Sequence, residues 1–170
     1  MWQREMRHLW QIIQQVLNFV MRSAVIYRES ADGRRCVALD AAYAGQLLAY
    51  ITQDERHQEK FDDVVNILLN NLRNTNLYDK EDINTKSKDV AAMKLFKGQA
   101  NDRIYCKQGS LSAGDGRKVY VVVAARLHTG KKSQHNTQAE KNLINAVASY
   151  VYDYTTFTHL DDDDEEDDAT

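Results

Sequence analysis

AAMKLFKGQANDRIYCKQGSLSAGDGRKVYVVVAARLHTGKKSQ (residues 91–134) decides how the chain is read, because its apolar residues recur at every second position and nearly all its charges are basic. Ile104 and Cys106 alternate with Arg103, Tyr105 and Lys107, the period of a strand with one buried and one exposed face. Gly109 to Gly116, GSLSAGDG, holds three glycines in eight residues and reads as a hairpin loop. The return run Lys118 to Leu127 is β-branched and almost uninterrupted in apolar content, as a central strand covered on both faces requires. Arg126, His128, Lys131 and Lys132 follow at its end, near where Arg103 and Lys107 fall on the paired strand. A cluster of this kind suits a phosphodiester.

Working outward toward the N-terminus, Phe61, Val64, Val65, Leu68, Leu69 and Leu72 recur at helical spacing. Asp40 stands where it can cap an earlier helix through Ala41, Ala44, Leu47, Leu48 and Ile51. The two form an αα-hairpin ahead of the sheet. Before them, AVIYRES and RCVALD flank an Asp-Gly turn, a strand followed by a second strand or a helix entry. Residues 1–21 carry Trp2, Met6, Leu9, Ile13, Val16, Leu17 and Val20 at spacings of three and four, an amphipathic helix. Its glutamines break any continuous apolar run, against a signal peptide or a membrane span. It reads either as a helix that docks on the domain or a partner, or as upstream sequence if translation starts at Met21.

Between Arg73 and Lys88, NTNLYDKEDINTKSK reads as a loop with one helical turn, either a solvated connector or a substrate-facing excursion. After the central stretch, Thr137 and Glu140 stand at capping-box spacing before a helix carrying Leu143, Ile144, Val147 and Val151. Residues 158–170 hold eight consecutive acids, Asp161 to Asp168. Such a block repels itself and is expected to be disordered. Without those eight acids the formal charge of −3 becomes +5 for residues 1–160, a balance open to a nucleic-acid partner. The expected organisation is an N-terminal helix (1–21), one α+β domain (22–157) with a small antiparallel sheet against an αα-hairpin and a C-terminal helix, and an acidic tail.

Cys36 and Cys106 have no metal-ligand spacing and read as reduced core thiols of a cytosolic protein. No Gly-rich phosphate loop, HExxH, GxSxG or zinc pattern occurs. The remaining chemistry is the basic constellation. Attack of a ribose 2′-hydroxyl on its phosphate needs a base, an acid and cations, which His, Tyr, Arg and Lys supply without metal or cofactor. His128 is the titrating candidate. Arg103 and Arg126 suit transition-state charge, Tyr105 stacking or proton donation, and Lys107, Lys131 and Lys132 substrate binding. The competing reading is an ordinary solvated strand face and a loop of soluble lysines.

In its order of strand, two helices, three strands, basic turn and helix, the chain resembles the RelE/ParE toxin superfamily, especially its HigB-like branch. The carrying residues are AAMKLFKG, NDRIYCK, VYVVVAARLH and the turn KKSQ before a helix, where Lys131, Lys132 and Gln134 match a Lys-Lys-x-Gln turn. The likeness spans residues 23–154 in architecture and Met93–Gln134 in motif. It implies the toxin component of a type II toxin-antitoxin system, acting in the cytoplasm. The activity implied is an endoribonuclease on RNA, including ribosome-bound messenger, with a cognate antitoxin as partner and no membrane. The alternative is a non-catalytic module binding nucleic acid or protein on the same fold.

Overall fold

The computed structural model describes residues 2–96, 101–131 and 135–160. Lys132, Gln134 and the acidic run Asp161–Asp168 therefore lie outside the described residues. The architecture is α+β, but the sheet is larger than expected and mixed rather than antiparallel. Nine strands form among the described residues: β1 (Met21–Arg22), β2 (Ala24–Glu29), β3 (Arg35–Asp40), β4 (Tyr78–Lys80), β5 (Val90–Met93), β6 (Arg103–Ser112), β7 (Lys118–His128), β8 (Val151–Tyr152) and β9 (Thr158–His159). Seven make one sheet in the order β4-β5-β6-β7-β3-β2-β9, and β1 pairs with β8. The pairs β3/β7, β2/β9 and β1/β8 are parallel and the others antiparallel.

A parallel pair needs a long crossover, and between β3 and β7 the chain supplies one that contains two helices. They are α2 (Ala44–Ile51) and α3 (Glu55–Leu69). Their buried stripe of Leu47, Ile51, Phe61, Val64, Val65 and Leu68 packs on Val37, Leu39, Ile104, Cys106 and Val122 on one face of the sheet. Asp54 caps α3, accepting from the His57 N–H at 2.8 Å. Asp40 does not cap α2, whose N-cap is Tyr43. It is buried instead, and accepts two bonds from Arg22, at 2.7 and 2.9 Å, and one from the Tyr152 hydroxyl. This carboxylate ties β1, β3 and β8 together.

The opposite face is covered by α4 (Gln138–Ser149), which starts at the expected capping box: the Thr137 hydroxyl accepts from the Glu140 N–H, and the Glu140 carboxylate accepts from the Thr137 N–H. Ile144 and Val147 pack on Val90, Ala92, Tyr105 and Ala125. Cys106 is buried beneath α2 and α3, and Cys36 on the opposite face among Ala24, Val121 and Tyr152, and both are unpaired. Burial pushes both thiols up, Cys36 to about 12.

Two local expectations change. β6 runs on through Gly109 to Ser112, and Leu111 pairs with Val119, so the hairpin turn tightens to residues 113–117. Only Gly116 there needs the left-handed backbone, at φ 83°. In the polar segment after Arg73, Tyr78–Lys80 forms an edge strand on β5. Finally, α1 (Trp2–Val20) leads directly into β1 and is not docked on the domain: Met6, Leu9, Trp10, Ile12, Ile13 and Val16 keep 46–61% of their surface exposed.

Candidate functional site beneath helix α4

Pairing of β6 with β7 sets Arg103 opposite His128, Tyr105 opposite Arg126 and Lys107 opposite Val123, with a bulge between Tyr105 and Cys106. Directly opposed residues project to the same side of a sheet. The strand register therefore lines up five of the seven sequence candidates, on the side covered by α4. What each then touches differs from the expected open phosphate platform.

Tyr105 was expected on an exposed face but is completely buried, because α4 lies over it, and its hydroxyl has no hydrogen-bond partner. Burial pushes that phenol well above its ordinary value, and Glu81 and Glu140 add to the shift. Lys107 donates from Nζ to the Ala148 carbonyl at 2.7 Å, closing the last turn of α4 where cations are favourable. Arg126 donates to the Tyr150 hydroxyl at 3.1 Å and stacks 4.5 Å from the centre of the Tyr43 ring. These two cations hold the fold together at the C-terminal end of α4.

Two of the remaining candidates, His128 and Lys131, meet at the N-terminal end of α4. His128 Nε2 lies 3.3 Å from Glu140 Oε1, and Lys131 Nζ lies 3.5 Å from the same oxygen. Lys131 is buried, and its ammonium also donates to Asn136 Oδ1. Glu140 is 1% exposed. Burial pushes its carboxyl up, but the Thr137 hydrogen bonds, then Lys131 and His128, outweigh that and hold it below its usual range. The carboxylate is thus charged, and Oε1 has no aligned hydrogen-bond donor despite its two neighbours.

The loop carrying Lys131 is pinned by Asp102, which accepts from the Gly130 N–H at 2.9 Å and the Tyr50 hydroxyl at 2.8 Å. Gly130 takes φ 68° at this bend, a conformation that favours glycine. Next to it Arg103, half-buried, spends one donor on the Asp102 carbonyl at 3.1 Å. A guanidinium has five donors, and among the described residues the Asp102 carbonyl is the acceptor it reaches.

Sequence reasoning missed Glu140 as a site residue, since its capping-box position already accounted for it, and missed Asp102 altogether. Lys132 falls outside the described residues. Among the described residues no group of three or more His, Cys, Asp or Glu is placed to hold a metal ion, and no helix is long and apolar enough to cross a membrane. A cavity of about 230 Å³ opens beside α4, between Lys107, Gln108, Asp89, Val121 and Tyr152. Comparison with known proteins finds no matching family model, no curated relative and no similar solved structure.

Proposed function

We propose that the chain is an RNA-cleaving protein of the toxin kind, the toxin component of a type II toxin-antitoxin pair related to the RelE/ParE superfamily. Its centre is the Arg103–His128–Glu140–Lys131 cluster. The observation that carries this reading is the carboxylate behind the histidine: Glu140 Oε1 is 3.3 Å from His128 Nε2, with Arg103 across the strand pair. In this arrangement Glu140 places a buried carboxylate beside the imidazole, 3.3 Å from Nε2. His128, with a side chain 25% exposed, takes the proton of the ribose 2′-hydroxyl. The oxygen attacks the adjacent phosphorus, the bond to the 5′-oxygen breaks, that oxygen takes up a proton from solvent water to leave as a hydroxyl, and a 2′,3′-cyclic phosphate is left. Arg103 stabilises the developing charge on the phosphoryl oxygens, and Lys131 keeps Glu140 anionic from behind. Tyr105, Lys107 and Arg126 act on the fold rather than the substrate.

The spending of Lys107 and Arg126 on internal contacts favours a second reading, a non-catalytic module that grips RNA or protein at the Arg103 end alone. The test is incubation of the purified chain with a labelled RNA, read on gels and by filter retention at low salt. Cleavage by the wild type, lost in His128→Ala with RNA still retained, is the expected result. Arg103→Glu should lose both. Retention without cleavage in the wild type selects the binding module. Retention that survives Arg103→Glu refutes the site in either form. Induced expression supplies an independent reading, because a nuclease of this kind arrests growth and the His128→Ala chain does not.

A further inference from the structure

We infer that α1 is a self-association element, whose apolar face meets the same face of a second copy of this chain. Met6, Leu9, Ile13 and Val16 follow one another at spacings of three, four and three, and the sequence continues that alternation at Trp2 and Val20. This is the 3.5-residue repeat of helices that pack along their length on one another, with Met6 and Ile13 in one core position and Leu9 and Val16 in the other. Trp10 and Ile12 flank the seam on either side and widen it. The intervening positions, Arg7, His8, Gln11, Gln14 and Gln15, are all polar.

Among the described residues, nothing in the domain covers this face. The six described apolar residues are 46–61% exposed in place, whereas the large apolar residues of α2, α3 and α4 are all buried or half-buried. Helices in proteins draw most of their stability from packing of an amphipathic face, so an apolar stripe of such regularity calls for a partner. The area is sufficient. Half of the surface of six large side chains is roughly 100 Å² each, so two copies remove about 1,200 Å², the lower bound for a specific interface.

The polar face argues for a copy of the chain over a lipid surface. Helices that lie on membranes carry lysine and arginine on the polar side. In the sequence of α1 the polar residues are mostly uncharged, four glutamines with Asn18 and His8, against Arg4 and Arg7 as the only full cations and Glu5 opposing them. A neutral polar face also lets two copies approach without like-charge repulsion.

The test exploits a coincidence of composition: the chain has two tryptophans, Trp2 and Trp10, and both lie on α1. Sedimentation equilibrium of the full chain from about 1 to 100 μM brackets the weak end of the affinities seen for interfaces of this size. Tryptophan emission is read on the same samples. The expected result is a mass above the monomer that rises with concentration, with emission shifting to the blue in step. Leu9→Asp with Ile13→Asp should give a monomer with red-shifted emission and an unchanged cooperative melt of the domain by circular dichroism. A wild-type monomer over the whole range overturns the inference, as does an oligomer that survives the double substitution. Flotation of a monomeric wild type with phosphatidylglycerol vesicles overturns it in favour of a membrane surface.

Discussion

Replacing Glu140 separates what its carboxylate does for the fold from what it does for His128. The carboxylate sits 3.5 Å from the Lys131 ammonium, and both groups are buried. At an effective dielectric of about 20 their attraction is about 5 kcal/mol, much of it offset by the loss of hydration on burying both. Removing one partner is a different matter, because the other then stays buried without compensation, which costs about 3–5 kcal/mol. Loss of the capping box adds about 1 kcal/mol. Glu140→Ala should therefore destabilise the chain by about 4 kcal/mol, a large share of a domain's usual 5–15 kcal/mol. Glu140→Gln, which keeps an oxygen for the Thr137 N–H, should lose about 3 kcal/mol.

The assay is urea unfolding followed by far-ultraviolet circular dichroism, since tryptophan emission reports only on α1. Glu140→Gln combined with Lys131→Met should recover most of the loss, because no buried charge is left uncompensated and the methionine keeps the packing. The pH dependence has a fixed sign. The Glu140 carboxyl is held below its unfolded value, so its contribution is complete above the ordinary carboxylate range and is lost as pH falls through its depressed folded value. The wild type should thus lose stability in acid more steeply than the double variant. A Glu140→Ala loss under about 1 kcal/mol, or no recovery in the double variant, refutes the buried ion cluster.

Tyr105→Phe should raise stability by about 1 kcal/mol, since it deletes a buried hydroxyl with no partner; thermal melting checks it, and a loss of that size would mean the hydroxyl is bonded after all. Val123→Asp places an unpaired charge at a position 1% exposed in β7 and should abolish the cooperative melt by circular dichroism. Cys36 and Cys106, buried with raised thiols, should not react with an aromatic disulfide reagent in the native chain, whereas both should react in denaturant.

The parts of the fold legible in the sequence are those set by local period. The alternation around Ile104 and Cys106, the helical stripe from Phe61 to Leu68 and the Thr137–Glu140 box each fix an element within a few residues of where it lies. What was not legible depends on partners distant in the chain. β3 pairs with β7 across more than eighty positions, for example Cys36 with Val121, and no local pattern encodes that register or its parallel sense. Tyr105 looked exposed because an alternating strand is normally wet on one side. α4, thirty-odd residues later, removes that side from water. The edge strand Tyr78–Lys80 is too short and too polar to show a period at all.

The same covering helix decides which of the basic residues are free to meet a substrate. Four of them belong to one register on β6 and β7, and in an open sheet all would face a phosphate backbone equally. Laying α4 across that face divides them by where its ends fall. Its C-terminal turn presents unpaired carbonyls and draws in Lys107, while Tyr150 just beyond it takes Arg126. Its N-terminal turn brings an acid, Glu140, against His128 and Lys131, while Arg103, among the described residues, spends one donor on the Asp102 carbonyl. Helix polarity thus concentrates the usable charge at one end of the face. Moving the acid by one position along α4 would uncouple it from His128 without changing the sheet, so the spacing between the capping threonine and the first helical turn is what assembles the site.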